Sequence, residues 1–222
     1  MRLVNFSLSR IVIQGFILFL IFFNQVYAQN NEKLIDEASL RNENALLNKY
    51  SIIESEWFEK TCMDISSKMK FHKITQCKLF DSHHINAYVL SNGHVYFSQA
   101  MMKLIKNKHQ WASILAHENA HLELRHYKKI LKKIQNPGIF FPKSKIKKMM
   151  IKHEEQADDW SKDRLIKFGY DPKQIYYFLQ RVIRSNGNNK SKSHLKPSKR
   201  TEKNLEDEII NKNLINLIKA LG

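Results

Sequence analysis

Apolar residues recur at helical spacing through residues 40–70: Leu46, Leu47, Tyr50, Ile53, Trp57, Phe58, Met63, Ile65 and Met69. That spacing predicts one or two helices after a polar, flexible start at 29–39. The pattern then shortens. Residues 74–80 alternate as a strand, and 86–90 and 94–98 read as two strands around the turn signal Asn92-Gly93. Ser98 is placed to cap a short helix reaching Ile105. Helical spacing returns in HQWASILAHENAHLELRHYKKI, which predicts a helical stretch closed by the Asn136-Pro137-Gly138 break. A further helix is expected from about Lys145 to Phe168, and another from Asp171-Pro172 to about Arg184. Residues 185–200 are polar, and Leu205, Ile209, Leu214, Ile218 and Leu221 mark a closing amphipathic helix. No internal repeat is visible. The predicted fold class is α+β, mostly helical, with a small antiparallel sheet.

One helical stretch also carries chemistry. Residues 117–121 read HENAH. Positions i and i+4 of a helix share a face, so His117 and His121 can present two imidazole nitrogens to one Zn²⁺. Glu118 sits about 100° further round, where it can reach a water without binding the metal. Two ligands and a base on one turn are what metal-assisted hydrolysis requires. The bland alternative is a pair of polar residues on a solvated face. The neighbouring Trp111, Ile114, Leu115, Leu122 and Leu124 argue against it, because they predict a largely buried helix whose imidazoles and carboxylate need partners.

Catalytic zinc sites use three protein ligands. Residues 154–158 read EEQAD, again on a predicted helix and again with an i, i+4 pair. Glu154 can complete a His, His, Glu set. Asp158 can accept the free ring N–H of a ligating histidine, which fixes its tautomer and raises its basicity. The alternative is an exposed acidic cluster, since Glu155 and Asp159 adjoin the pair. His153 is expected to point elsewhere on the helix.

These residues resemble the membrane-linked gluzincin endopeptidases, the family that contains the CAAX prenyl proteases, HtpX and the periplasmic proteins BepA and LoiP. AHENAHLELRH at 116–126 resembles the family's AHExxHxxxRH, Arg125 and His126 included. EEQAD fits its ExxAD. NAYVLSNGHVYFS at 86–98 looks like NAFALPGGHIFV, with Ser91-Asn92 in place of Pro-Gly, and FGYDP at 168–172 looks like its GYDP turn. His194, Pro197 and Arg200 resemble an HPxPxxR-type segment, but Leu195 replaces the proline directly after the histidine. The resemblance covers roughly residues 40–205. It implies a zincin-type metalloprotease domain and an oxyanion partner role for His194 and Arg200. It also implies a substrate chain added as a β-strand along 94–98.

Composition sets the compartment. Arg2 and Arg10, the 13-residue apolar run Ile11 to Phe23 and the Val26-Tyr27-Ala28 site read as a secretory signal over 1–28. The run is too short for a confident membrane span, though an uncleaved anchor is the alternative. No cysteine stands near the site for lipid attachment. Removing 28 of 222 residues leaves 194, suited to a single metallopeptidase domain over 29–222, and takes the net charge from +16 to +14 by loss of the two arginines. A secreted chain meets no nucleic acid as a rule, so this charge points to an anionic envelope surface or acidic substrate stretches. Cys62 and Cys77 can pair in an oxidising compartment. The sequence therefore predicts a periplasmic, zinc-dependent endopeptidase acting on polypeptides, misfolded or unassembled envelope proteins above all. Two rivals stay open: a zinc-containing chaperone or scaffold without turnover, in which His194 closes the site, and a basic envelope-binding module with a chance motif.

Overall fold

The computed structural model describes residues 33, 36–135 and 143–186. The signal-like segment 1–28, the 136–138 break, His194, Arg200 and the closing helix expected at 205–221 lie outside the described residues. Among the described residues, no helix is long and apolar enough to cross a membrane.

The helical periodicity of 40–70 resolves into two helices with a short strand between them. The first, α1, covers 36–49 and so begins inside the stretch expected to be a flexible start; Ala38 and Ser39 are buried. β1 (Ile52–Ile53) follows. Ser55 then caps α2 (Glu56–Lys68), its hydroxyl accepting from the Phe58 N–H. β2 (Gln76–Phe80), β3 (Ala87–Val89) and β4 (His94–Ser98) match the alternating segments. Ser98 caps α3 (Gln99–Leu104) through Met101 N–H, as its position predicts. α4 (Lys108–Glu123) carries HENAH, and α5 (His126–Gln135) follows it. α6 (Lys143–Lys167) carries EEQAD, and α7 (Gln174–Asn186) completes the described chain.

The sheet is α+β in its setting but mixed rather than antiparallel. Its order is β1-β2-β4-β3. β1 with β2 and β3 with β4 are antiparallel, whereas β2 and β4 run parallel in the register Gln76 to His94 through Phe80 to Ser98. The hairpin β3–β4 folds back so that β4, not β3, lies beside β2. The Asn92-Gly93 turn makes this possible. Gly93 has φ +86°, and a Cβ there would stand 2.0 Å from the Lys73 carbonyl oxygen, so only glycine lets the two segments approach. β4 is consequently flanked on both sides and cannot accept an added strand. The edge nearest α4 is β3.

α2 and α4 share one apolar core with the sheet. Phe58 stacks on Trp111 at 5.4 Å and meets Phe97 edge-on at 5.6 Å. Cys62 and Cys77 form a disulfide with Cα atoms 6.3 Å apart, tying α2 to β2 within that core. On the other face of the sheet α1 is held by a buried carboxylate. Glu43 accepts from the Tyr96 hydroxyl, lies 2.6 Å from His94 Nδ1 and accepts from Asn92 Nδ2 at 3.2 Å.

Candidate metal centre

α4 is apolar on nearly every side, with Trp111, Leu115, Ala116 and Ala120 all buried. It is therefore sunk between the sheet and α6, and its polar residues are buried with it. His117 and Glu118 are each only 3% exposed. α6 runs along α4, and the i, i+4 spacing of EEQAD turns Glu154 and Asp158 toward the histidines. This pairing of helices converts two local motifs into one site.

His117, His121 and Glu154 each place one ligand atom within 4.8 Å of the other two, forming a group that could hold a metal ion. Glu154 bridges the pair: one carboxylate oxygen is 3.5 Å from His117 Nε2 and the other 3.4 Å from His121 Nε2. The two Nε2 atoms are 3.3 Å apart. Behind them, His117 Nδ1 lies 2.9 Å from Asp158 Oδ1. An ionised carboxylate only accepts, so His117 carries its proton on Nδ1 and turns a lone pair at Nε2 toward Glu154. Asp158 thus takes the position expected for it, one turn on from Glu154. Glu118 lines a cavity of about 150 Å³ with His121, Glu154, Tyr88, Val89, Tyr127, Ile130 and Met150. A second cavity of about 310 Å³, bounded by Val89, Leu90, His121, Arg125, Tyr127 and Lys128, continues on the other side. Val89, His121 and Tyr127 wall both, so a groove passes along β3 and over His121.

The sequence offers His126 only as part of a motif and predicts an unbroken helical stretch through Ile130. The chain breaks instead. The Leu124 N–H reaches the Ala120 carbonyl and the Arg125 N–H the Leu122 carbonyl, Arg125 takes φ +52°, and His126 opens α5 against His121. His153, expected to point away, stacks flat on His126 with ring centroids 4.1 Å apart. Burial drives both imidazoles toward the neutral form. His126 is lowered to about 4, with the charges of His153 and Lys129 adding to the effect, and His153 is lowered by burial and then by Lys129. Tyr127, Val89 and Gln156 also escaped the sequence reading, because nothing in local spacing ties them to the histidines.

Residues 53–143 match the model of Peptidase family M48. The matched stretch holds the sheet, α4 and α5 and ends before Glu154 and Asp158. No curated protein matches the chain. The family match supports a metallopeptidase of the gluzincin type.

Proposed function

We propose that this chain is a zinc-dependent endopeptidase that hydrolyses polypeptides, misfolded or unassembled envelope proteins in particular, in the periplasm. The observation that carries the proposal is the convergence of His117, His121 and Glu154 in a buried pocket with Glu118 beside them. The donor set fits zinc. It comprises two imidazoles and one carboxylate, the pattern of a catalytic site that keeps a position open. It also fits by geometry, since one ligand atom of each of His117, His121 and Glu154 lies within 4.8 Å of the other two.

His117, His121 and Glu154 would hold the ion, and bound Zn²⁺ supplies Lewis acidity toward a peptide carbonyl and acidifies water. Glu118 acts as general base and then acid: its carboxylate takes the proton of the attacking water and returns it to the leaving amine. Asp158 holds the His117 ring by its Nδ1 proton throughout. Tyr88, Val89, Ile130 and Met150 make the wall beside Glu118 apolar, which excludes bulk water from the proton transfer and receives an apolar substrate side chain. β3 offers the edge along which an extended substrate lies, a mode that reads backbone rather than sequence and suits unfolded chains. His194 and Arg200 are proposed to face the oxyanion. The signal expected over 1–28, the disulfide and the net charge of +14 left by removing Arg2 and Arg10 from +16 support an oxidising compartment and an anionic envelope surface.

The test is zinc content together with cleavage of an unfolded, casein-like substrate by wild type and Glu118→Gln. The variant should keep the metal and the fold and lose about 10²- to 10⁴-fold in kcat. Cleavage at the wild-type rate by Glu118→Gln would overturn the mechanism. Metal binding with no cleavage by wild type would favour the chaperone reading.

A further inference from the structure

The metal centre has a second support, on the side away from Asp158. On an unbroken helix five residues turn through about 500°, so His126 would stand about 140° round from His121. The left-handed Arg125 breaks α4 and folds His126 back. Its Nδ1 comes to 3.0 Å from His121 Nδ1, and its Nε2 to 3.2 Å from Gln156 Oε1 on α6. His126 is 2% exposed, so water does not compete for either nitrogen. His153 covers one face of the ring.

These contacts fix where each proton sits. An amide oxygen has no proton to give, so His126 Nε2 donates to Gln156. A neutral imidazole carries one N–H, so His126 Nδ1 is an acceptor. His121 Nδ1 must then be the donor, which leaves the His121 lone pair on Nε2. That is the atom 3.4 Å from Glu154 Oε1 and 3.3 Å from His117 Nε2.

We propose that His126, anchored by Gln156, is a positioning residue that fixes the His121 tautomer and so prepares its Nε2 for the metal, as Asp158 does for His117. The value of this for metal retention rests on the reading of the site given above; the tautomer does not. The device joins three helices, because the ligand is on α4, its orienting group on α5 and the anchor on α6. It differs from the Asp158 arm in being uncharged, so it orients His121 without adding a negative charge beside the ion.

Two measurements test it on the full chain. Long-range ¹⁵N–¹H correlation of the metal-free protein should place the His121 proton on Nδ1. Competition with a chromophoric chelator should give the Zn²⁺ affinity of His126→Asn and His126→Leu. The asparagine amide oxygen takes the place of Nδ1 and accepts from His121, so this variant should stay within a few-fold of wild type. The leucine variant should bind about 10- to 100-fold more weakly. Both variants lose the His153 stack and the Gln156 bond, so a purely packing role would affect them alike. Gln156→Glu against Gln156→Leu repeats the comparison at a half-buried position, and the leucine should again be the weaker binder. A His121 proton found on Nε2, or equal affinities within each pair, would overturn the proposal. A wild type that binds no Zn²⁺ but keeps the Nδ1 proton would leave the relay standing and defeat the metal reading instead.

Discussion

Reduction of the Cys62–Cys77 bond should destabilise the fold by about 3 kcal/mol. The two cysteines are separated by 15 positions, and closing a loop of that length removes roughly this much conformational free energy from the unfolded chain. The native side should change little, because both sulfurs stay in a core that excludes water, with Cys62 0% and Cys77 1% exposed. For a domain of this size, about 3 kcal/mol corresponds to a fall in Tm of about 6–12 °C. The effect matters for the site. α2, which the bond ties to β2, packs through Phe58 onto Trp111 of the helix that holds His117 and His121, with Phe97 of β4 against the same ring. The assay is thermal unfolding of the metal-free protein in EDTA, with and without a phosphine reductant, and with free thiols counted in each sample. A Tm unchanged when both thiols are titratable would refute the loop-closure reasoning. A fall far beyond this range would show that the bond also holds native packing in place.

Two further outcomes follow from the sheet. Gly93→Ala should cost more than about 2 kcal/mol in urea unfolding, since it adds a left-handed backbone penalty to a Cβ placed 2.0 Å from the Lys73 carbonyl oxygen; a wild-type midpoint would refute it. Glu43 supplies a pH dependence. Burial alone would raise its pKa, but the hydrogen bonds from Tyr96 and His94, with the charges of His94 and Lys78, outweigh burial and lower it from the ordinary 4.5. A lowered folded pKa gives stability that is present above the unfolded value and lost as pH falls through the folded one. The stability gap between wild type and Glu43→Gln, measured in EDTA, should therefore shrink below about pH 4.5, and a gap independent of pH would count against the network.

Features that depend on a few neighbouring residues were legible in the sequence. The i, i+4 histidines, the i, i+4 acids, the Ser98 cap and the Asn92-Gly93 turn each follow from helix or turn geometry, which needs no distant partner. The α+β class follows from the change of period between segments. The disulfide was half legible: the cysteines were visible, but their 6.3 Å approach is a product of α2 packing on β2. Other features belong to tertiary structure. That Glu154 and Asp158 meet His117 from about forty residues away depends on α6 lying along α4, and helical spacing cannot state which helices pack together. The parallel pairing of β2 with β4 was misread because strand periodicity carries side-chain alternation and not direction, so β3, not 94–98, became the edge beside the site. The break at Arg125 was invisible because arginine is a good helix former. What ends α4 there is the left-handed Arg125, whose N–H turns back onto the Leu122 carbonyl, together with the burial of His126 between His121 and the distant His153, so that packing outweighs a local preference. Local geometry thus determined which side chains could carry the chemistry, and packing determined which of them meet.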